Sequence, residues 1–166
     1  QLPEKYNNRY FTKQFYGLVE HHVRQIHNGL RGWFDGDEAS LFPLPPLERA
    51  KKLIEGFGGE GRVRDAIDQA IKEEDLRWAL ELSTWLIRRE VNEDGRCDSG
   101  TLEDREKLAG VLRKIGQRTT STNVRNWCLT RALELEGKLD INRFRTHRFS
   151  ERQVLSQPTE AFVHAL

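Results

Sequence analysis

Five sets of residues in this 166-residue chain carry side chains that could do chemistry, and their spacing decides what each can do. Glu20, His21, His22 and His27 place three imidazoles and a carboxylate within two helical turns. A zinc ion held by one helix takes ligands at i and i+4, so that both point at the ion. His22 and His27 are five apart, and successive residues such as His21 and His22 diverge by about 100° around a helix. That pattern favours one half-buried histidine on an apolar face, with solvated neighbours, over a metal site. Asn92, Asp94, Asp98 and Glu103 occupy positions 1, 3, 7 and 12 of a calcium loop. Arg96 would repel a cation at the fifth position, and Cys97 stands where such a loop needs glycine.

The run Gly56-Phe57-Gly58-Gly59-Glu60-Gly61 spells G-x-G-x-x-G. A dinucleotide loop of that kind follows a strand and opens a helix towards a pyrophosphate. Here the charged stretch Glu48-Arg49-Ala50-Lys51-Lys52 precedes it and reads as helix, so the glycines read as a helix stop and an inter-helix turn. Cys97 falls in a polar segment and Cys128 on a core face, and neither has a base or an activating cation that can be named. Cys128 reads as a small core residue. The tail sets Phe144 and Phe149 among Arg143, Arg145, Arg148 and Arg152. Charge and stacking of that kind can contact a nucleic acid, but a solvated linker or interdomain contact is the favoured reading. None of these sets completes an active site.

The elements that would position them are helical. Phe15, Leu18, Val19, His22, Val23, Ile26 and Leu30 recur at steps of three and four, and Gly29 and Gly32 end that helix. Trp33 and Phe34 are expected as buried anchors of the Asp35-Gly36 turn that follows. Phe42-Pro43-Leu44-Pro45-Pro46 must run extended, and Pro46 suits the first turn of a short helix over Leu47 to Glu55. Further stripes follow: Val63, Ala66, Ile67, Ala70 and Ile71, then Leu76, Ala79, Leu80, Ser83, Leu86 and Ile87. Leu102, Leu108, Val111, Leu112 and Ile115 make a third, with Gly116 expected to stop it. A fourth, capped by Thr120 or Ser121, carries Val124, Cys128, Ala132 and Leu135. The fold class is therefore all-α. Antiparallel helix hairpins stack as a degenerate tetratricopeptide-like array behind an extended N-terminal arm. After Gly137 only a short strand over Ile141 to Phe144 and a helix start at Gln157-Pro158-Thr159-Glu160 suggest themselves.

Composition narrows the partners. The 27 Lys and Arg nearly cancel 26 Asp and Glu, leaving a net charge of +1, which removes the electrostatic case for an obligatory nucleic-acid partner. No apolar run is long enough to span a membrane. The sequence holds no methionine and begins at Gln1, so it is expected to be part of a longer polypeptide.

Four blocks carry a resemblance. Gly32-Trp33-Phe34-Asp35-Gly36 comes first, then Leu44-Pro45-Pro46-x-Glu48-Arg49-Ala50. Asp75-Leu76-Arg77-Trp78-Ala79-x-Glu81-Leu82 follows, and last come Arg125-Asn126-Trp127-x-Leu129 and Glu134-Leu135. In this order, across Leu2 to Glu136, the chain resembles the alkylsulfatase dimerisation domain. Tyr16-Gly17 matches a Tyr-Gly of the family, whereas Leu18 and His21-His22 stand where relatives have Ser and a His-Asn pair. The resemblance implies a homodimer. It also implies a catalytic domain of metallo-β-lactamase type before Gln1, holding two zinc ions and hydrolysing alkyl sulfate esters. Residues 1–46 would then be the arm leaving that domain and touching it, and 47–136 the helical dimerisation domain. Residues 137–166 would be a linker and the start of a C-terminal sterol-carrier-like domain. The fragment itself is expected to hold no cofactor and no catalytic residue. Trp33, Phe34, Leu44, Pro45 and Pro46 are the expected anchors of the arm or the dimer. The rival reading is a monomeric tetratricopeptide-like scaffold that binds a peptide or protein.

Overall fold

The computed structural model of the chain describes residues 3–7, 9–34, 36–92 and 98–141. Their regular structure is entirely helical. A short α1 (Glu4–Asn7) and a 3-10 turn (Tyr10–Thr12) lead to α2 (Val19–Arg31), and a second 3-10 turn (Glu38–Ser40) precedes α3 (Pro46–Gly56). Then come α4 (Glu60–Lys72), α5 (Leu76–Arg88), α6 (Leu102–Arg118) and α7 (Thr122–Leu135). No described helix is long and apolar enough to cross a membrane.

The helix ends follow local chemistry. Pro46 opens α3 at the first helical position, where its missing N–H costs nothing. Asp75, Thr101 and Ser121 cap α5, α6 and α7, each accepting from a backbone N–H three residues on. Between α3 and α4, Gly58 and Gly59 both have positive φ, as an inter-helix turn demands. The G-x-G-x-x-G letters are that turn, with a helix rather than a strand before it.

Helices α4 and α5 form one hairpin, and α6 and α7 a second stacked against α5. Val63, Ile67, Leu82 and Leu86 fill the first hairpin, with Ile54 of α3 closing its side. Ile87, Leu108, Leu112, Cys128, Ala132 and Leu135 fill the second, and Ala70, Ala79 and Val111 join the two. Burial raises the Cys128 thiol above its ordinary pKa, which keeps it protonated and inert.

Two glycines differ from their sequence reading. Gly29 lies inside α2, and Gly32, at φ 85°, ends it. Gly116 does not stop α6, which continues to Arg118. A Cβ there would lie 3.3 Å from Cys128 Cβ, so this glycine instead lets α7 pack close. Leu102 is exposed at the start of α6 and does not belong to the core stripe.

A buried charge cluster locks the hairpins together. The Asp104 carboxylate is fully buried and accepts from Arg64 Nε at 2.7 Å, Arg64 Nη2 at 3.0 Å and Arg89 Nη1 at 2.9 Å. Glu60 completes it, 2.9 Å from Arg64 and 3.0 Å from Arg89. Burial pushes the Asp104 pKa up, but hydrogen bonds from Arg64, Thr101 and Arg89 outweigh it and hold the carboxyl below its ordinary value.

Candidate interaction surface

The arm before α3 is amphipathic yet buries almost nothing. Every residue of α2 is exposed, although Val19, Val23, Ile26 and Leu30 share one face. Tyr10, Phe11 and Tyr16 are likewise exposed ahead of it, and Phe42 beyond it. Apolar side chains clustered in this way mark a surface that another body covers.

What holds the arm to the helical body is polar and local. The first N–H groups of a helix have no partner inside it. At the start of α7, Thr122 N–H donates to the Phe15 carbonyl at 2.7 Å and Asn123 N–H to the Tyr16 carbonyl at 3.3 Å. The buried Ser121 hydroxyl donates to the same Tyr16 carbonyl at 2.8 Å while accepting from Val124 N–H. Thr120 Oγ1 donates to the Gln14 carbonyl at 3.0 Å. In the first turn of α2, Glu20 takes a two-pronged ion pair from Arg77 of α5, with contacts of 2.6 and 3.1 Å, and a third contact from Arg24. The hydrogen bonds and charge of Arg77 lower the Glu20 pKa. Between arm and body lies a groove of about 940 Å³, floored by Leu76, Leu80, Leu112, Ile115 and Val124, with Arg77 and Arg118 at its rim.

The expected anchors are distributed along this arm. Trp33 and Phe34 touch each other at 5.6 Å between ring centroids, but Trp33 is 72% exposed and Phe34 39%. Among the described residues they are therefore not the buried anchors expected. Leu44 and Pro45 are exposed at the start of α3, where Pro45 O accepts from Arg49 N–H, and Pro46 begins the helix. Sequence reasoning missed Ser121 as the arm's anchor. Its capping role was visible, but its second partner lies 105 residues away.

The other candidate chemistries do not assemble. His21, His22 and His27 are all exposed, so none is the half-buried histidine expected. The His22 ring instead lies over Gly17, where a Cβ would meet Nε2 at 2.6 Å. Asp98 pairs with Arg131 of α7. Asp94, Arg96 and Cys97 of the calcium-like loop lie outside the described residues. So do the basic tail from Arg143 onward, most of the expected strand and the start at Gln157. Among the described residues no three His, Cys, Asp or Glu side chains gather as a metal site.

A family model described as alkyl sulfatase dimerisation matches residues 1–138. The chain belongs to this family. It is 41% identical over 130 residues to a linear primary-alkylsulfatase of Pseudomonas sp., covering 78% of this chain and 23% of that protein. It is 28% identical over 135 residues to the alkyl/aryl-sulfatase BDS1 of Saccharomyces cerevisiae, covering 81% of this chain and 20% of that protein. Among solved structures, the stereoselective inverting sec-alkylsulfatase Pisa1 from Pseudomonas sp. superposes with a TM-score of 0.75 at 25% identity, covering 92% of this chain and 23% of that one. The chain thus spans between about a fifth and a quarter of the length of the alkylsulfatases it matches.

Proposed function

We propose that this chain is the dimerisation module of a longer zinc-dependent alkyl sulfate ester hydrolase, and that it takes no direct part in the chemistry. The observation that carries this reading is the arm: a 13-residue amphipathic helix without one buried residue, followed by exposed Trp33 and Phe34. A second copy of the chain covers that surface and forms a homodimer, and the arm also touches the catalytic domain of its own polypeptide. Family membership and alkylsulfatase relatives at 28–41% identity support the parent activity. The two zinc ions implied for the parent do not fit the described residues, which gather no three suitable ligands. We assign them to a separate catalytic domain of the parent polypeptide.

Sedimentation velocity on the full polypeptide tests the assembly. A dimer at tens of micromolar is expected, and a monomer there overturns the reading. Release of inorganic sulfate from a linear alkyl sulfate, lost on removal of metal by a chelator and restored by zinc, tests the parent activity.

A further inference from the structure

The groove of about 940 Å³ between arm and body has the size of a cavity that takes a small organic molecule. Three helices build its floor: Leu80 of α5, Ile115 of α6 and Val124 of α7 line it, and Leu18 of the arm closes one side. These four are only half-buried, whereas Leu82 and Leu86 of the first hairpin are fully buried, so the body leaves apolar surface open here. Thr120 Oγ1 donates to the Gln14 carbonyl at 3.0 Å, which ties the arm's wall to the body. A concave apolar floor with few polar groups is what removes an aliphatic chain from water.

The polar groups select the head of that chain. Both arginines of the lining are already paired: Arg77 gives two N–H groups to the Glu20 carboxylate, and Arg118 pairs with Glu74. An anionic head would have to displace a carboxylate that is in place. Two uncharged groups of the lining remain to meet a ligand. The Thr119 hydroxyl accepts from Ser121 N–H and still has its own proton to donate, and the Asn123 carboxamide offers both a donor and an acceptor. We infer that this groove binds a neutral, linear aliphatic alcohol, its chain on Leu80, Ile115 and Val124 and its hydroxyl at Thr119 and Asn123. The choice of an alcohol rests on the hydrolase reading above, because cleavage of an alkyl sulfate ester releases one beside inorganic sulfate. The groove is then a site for product, selected from substrate by its lack of charge. Each methylene moved from water onto the apolar floor is worth about fourfold in affinity.

Photolabelling of the full polypeptide tests the site. The probe is n-decanol carrying a diazirine near the far end of its chain, and labelled positions are read by peptide mass spectrometry. Label is expected on the peptides of α5, α6 and α7 that carry Leu80, Ile115 and Val124. Unlabelled n-decanol should displace it, and n-octanol, two methylenes shorter, should compete about fifteenfold less well. A competition that ignores chain length overturns the inference. n-Decanesulfonate has the same chain, a charged head and no ester to cleave, and it should compete less well than n-decanol. Tighter competition by the sulfonate would make the site anionic and overturn the inference. Val124→Trp fills the floor and should remove most label from the Leu80 and Ile115 peptides. Full label there, in a variant of unchanged helicity, overturns it as well. Label found only outside α5, α6 and α7, with the groove covered by another domain or a second copy, sinks the alcohol site, while sulfate release keeps the hydrolase reading. A labelled groove in a protein that releases no sulfate leaves the alcohol site and sinks the hydrolase reading.

Discussion

Helices α2 and α5 are each 13 residues long and each carries an apolar face, yet α5 buries six residues and α2 none. The face of α5 finds α4, α3 and α6 within the same chain, which pack against it on several sides. Among the described residues the face of α2 stays open: the Phe15 and Tyr16 carbonyls just ahead of it accept from the start of α7, and Glu20 in its first turn pairs with Arg77. Hydrophobic periodicity therefore names a face that must be covered. It does not name the molecule that covers it.

The largest effects should come from the body. Asp104→Ala leaves Arg64 and Arg89 without their shared buried carboxylate. Breaking a buried ion pair in this way costs about 3–5 kcal/mol, read by urea unfolding. Leu82→Ala, at a fully buried position of the first hairpin, should cost about 2–5 kcal/mol through lost contacts and the cavity left behind. If either proves neutral, the contrast between a packed body and an uncovered arm fails on the body's side.

Ser121→Ala probes the joint itself. It removes the cap of α7 and the hydroxyl that holds the Tyr16 carbonyl. Loss of about 1–2 kcal/mol is expected from cap and hydrogen bond together. Hydrogen exchange should rise at the Thr122 and Asn123 amides, which the arm's carbonyls protect. Unchanged exchange there would mean that the arm is held by something other than this joint.

The body was legible in the sequence because its signals are local. Stripes such as Val63, Ile67 and Ala70, and caps such as Asp75 and Ser121, lie within a few residues of the feature they explain. What was not legible is what acts over distance. Asp104 reads as a polar residue in the first turn of α6, since its partners lie 40 and 15 residues away. Gly116 looks like a helix stop by position, and only the approach of Cys128 shows why a side chain is unwelcome there. Trp33 and Phe34 are large apolar residues in a turn, which suggests burial, but among the described residues they stay 72% and 39% exposed.

Acid should weaken the body next. Arg113 grips the Glu136 carboxylate at 2.8 and 2.7 Å, Lys138 adds a second cation, and its pKa falls from 4.5 to about 2. A lowered folded-state pKa means that this stabilisation is complete above about 4.5 and fades as the pH drops towards 2. Asp104, also lowered, works in the same direction below its ordinary 3.8. Thermal melts should therefore be flat from pH 7 to 5 and fall below pH 4.5. Glu136→Gln should shallow that fall, and an unaltered slope would remove Glu136 as a cause.

The smallest effect on the fold should come from α2, and its smallness is the point. Ile26 is 61% exposed in the single chain, so Ile26→Ala removes little packing there. Monomer stability should change by less than about 0.5 kcal/mol, the usual range for a surface position. The same truncation at a covered face removes apolar burial from both copies at once. About 1.4 kcal/mol corresponds to tenfold in Kd, so dimer dissociation should strengthen tenfold or more in a sedimentation series. Val23→Ala should behave alike, while Arg24→Ala, off that face, should leave the dimer intact. If Ile26→Ala instead destabilised the monomer as Leu82→Ala does, α2 would pack within its own chain, and the difference between the two helices would vanish.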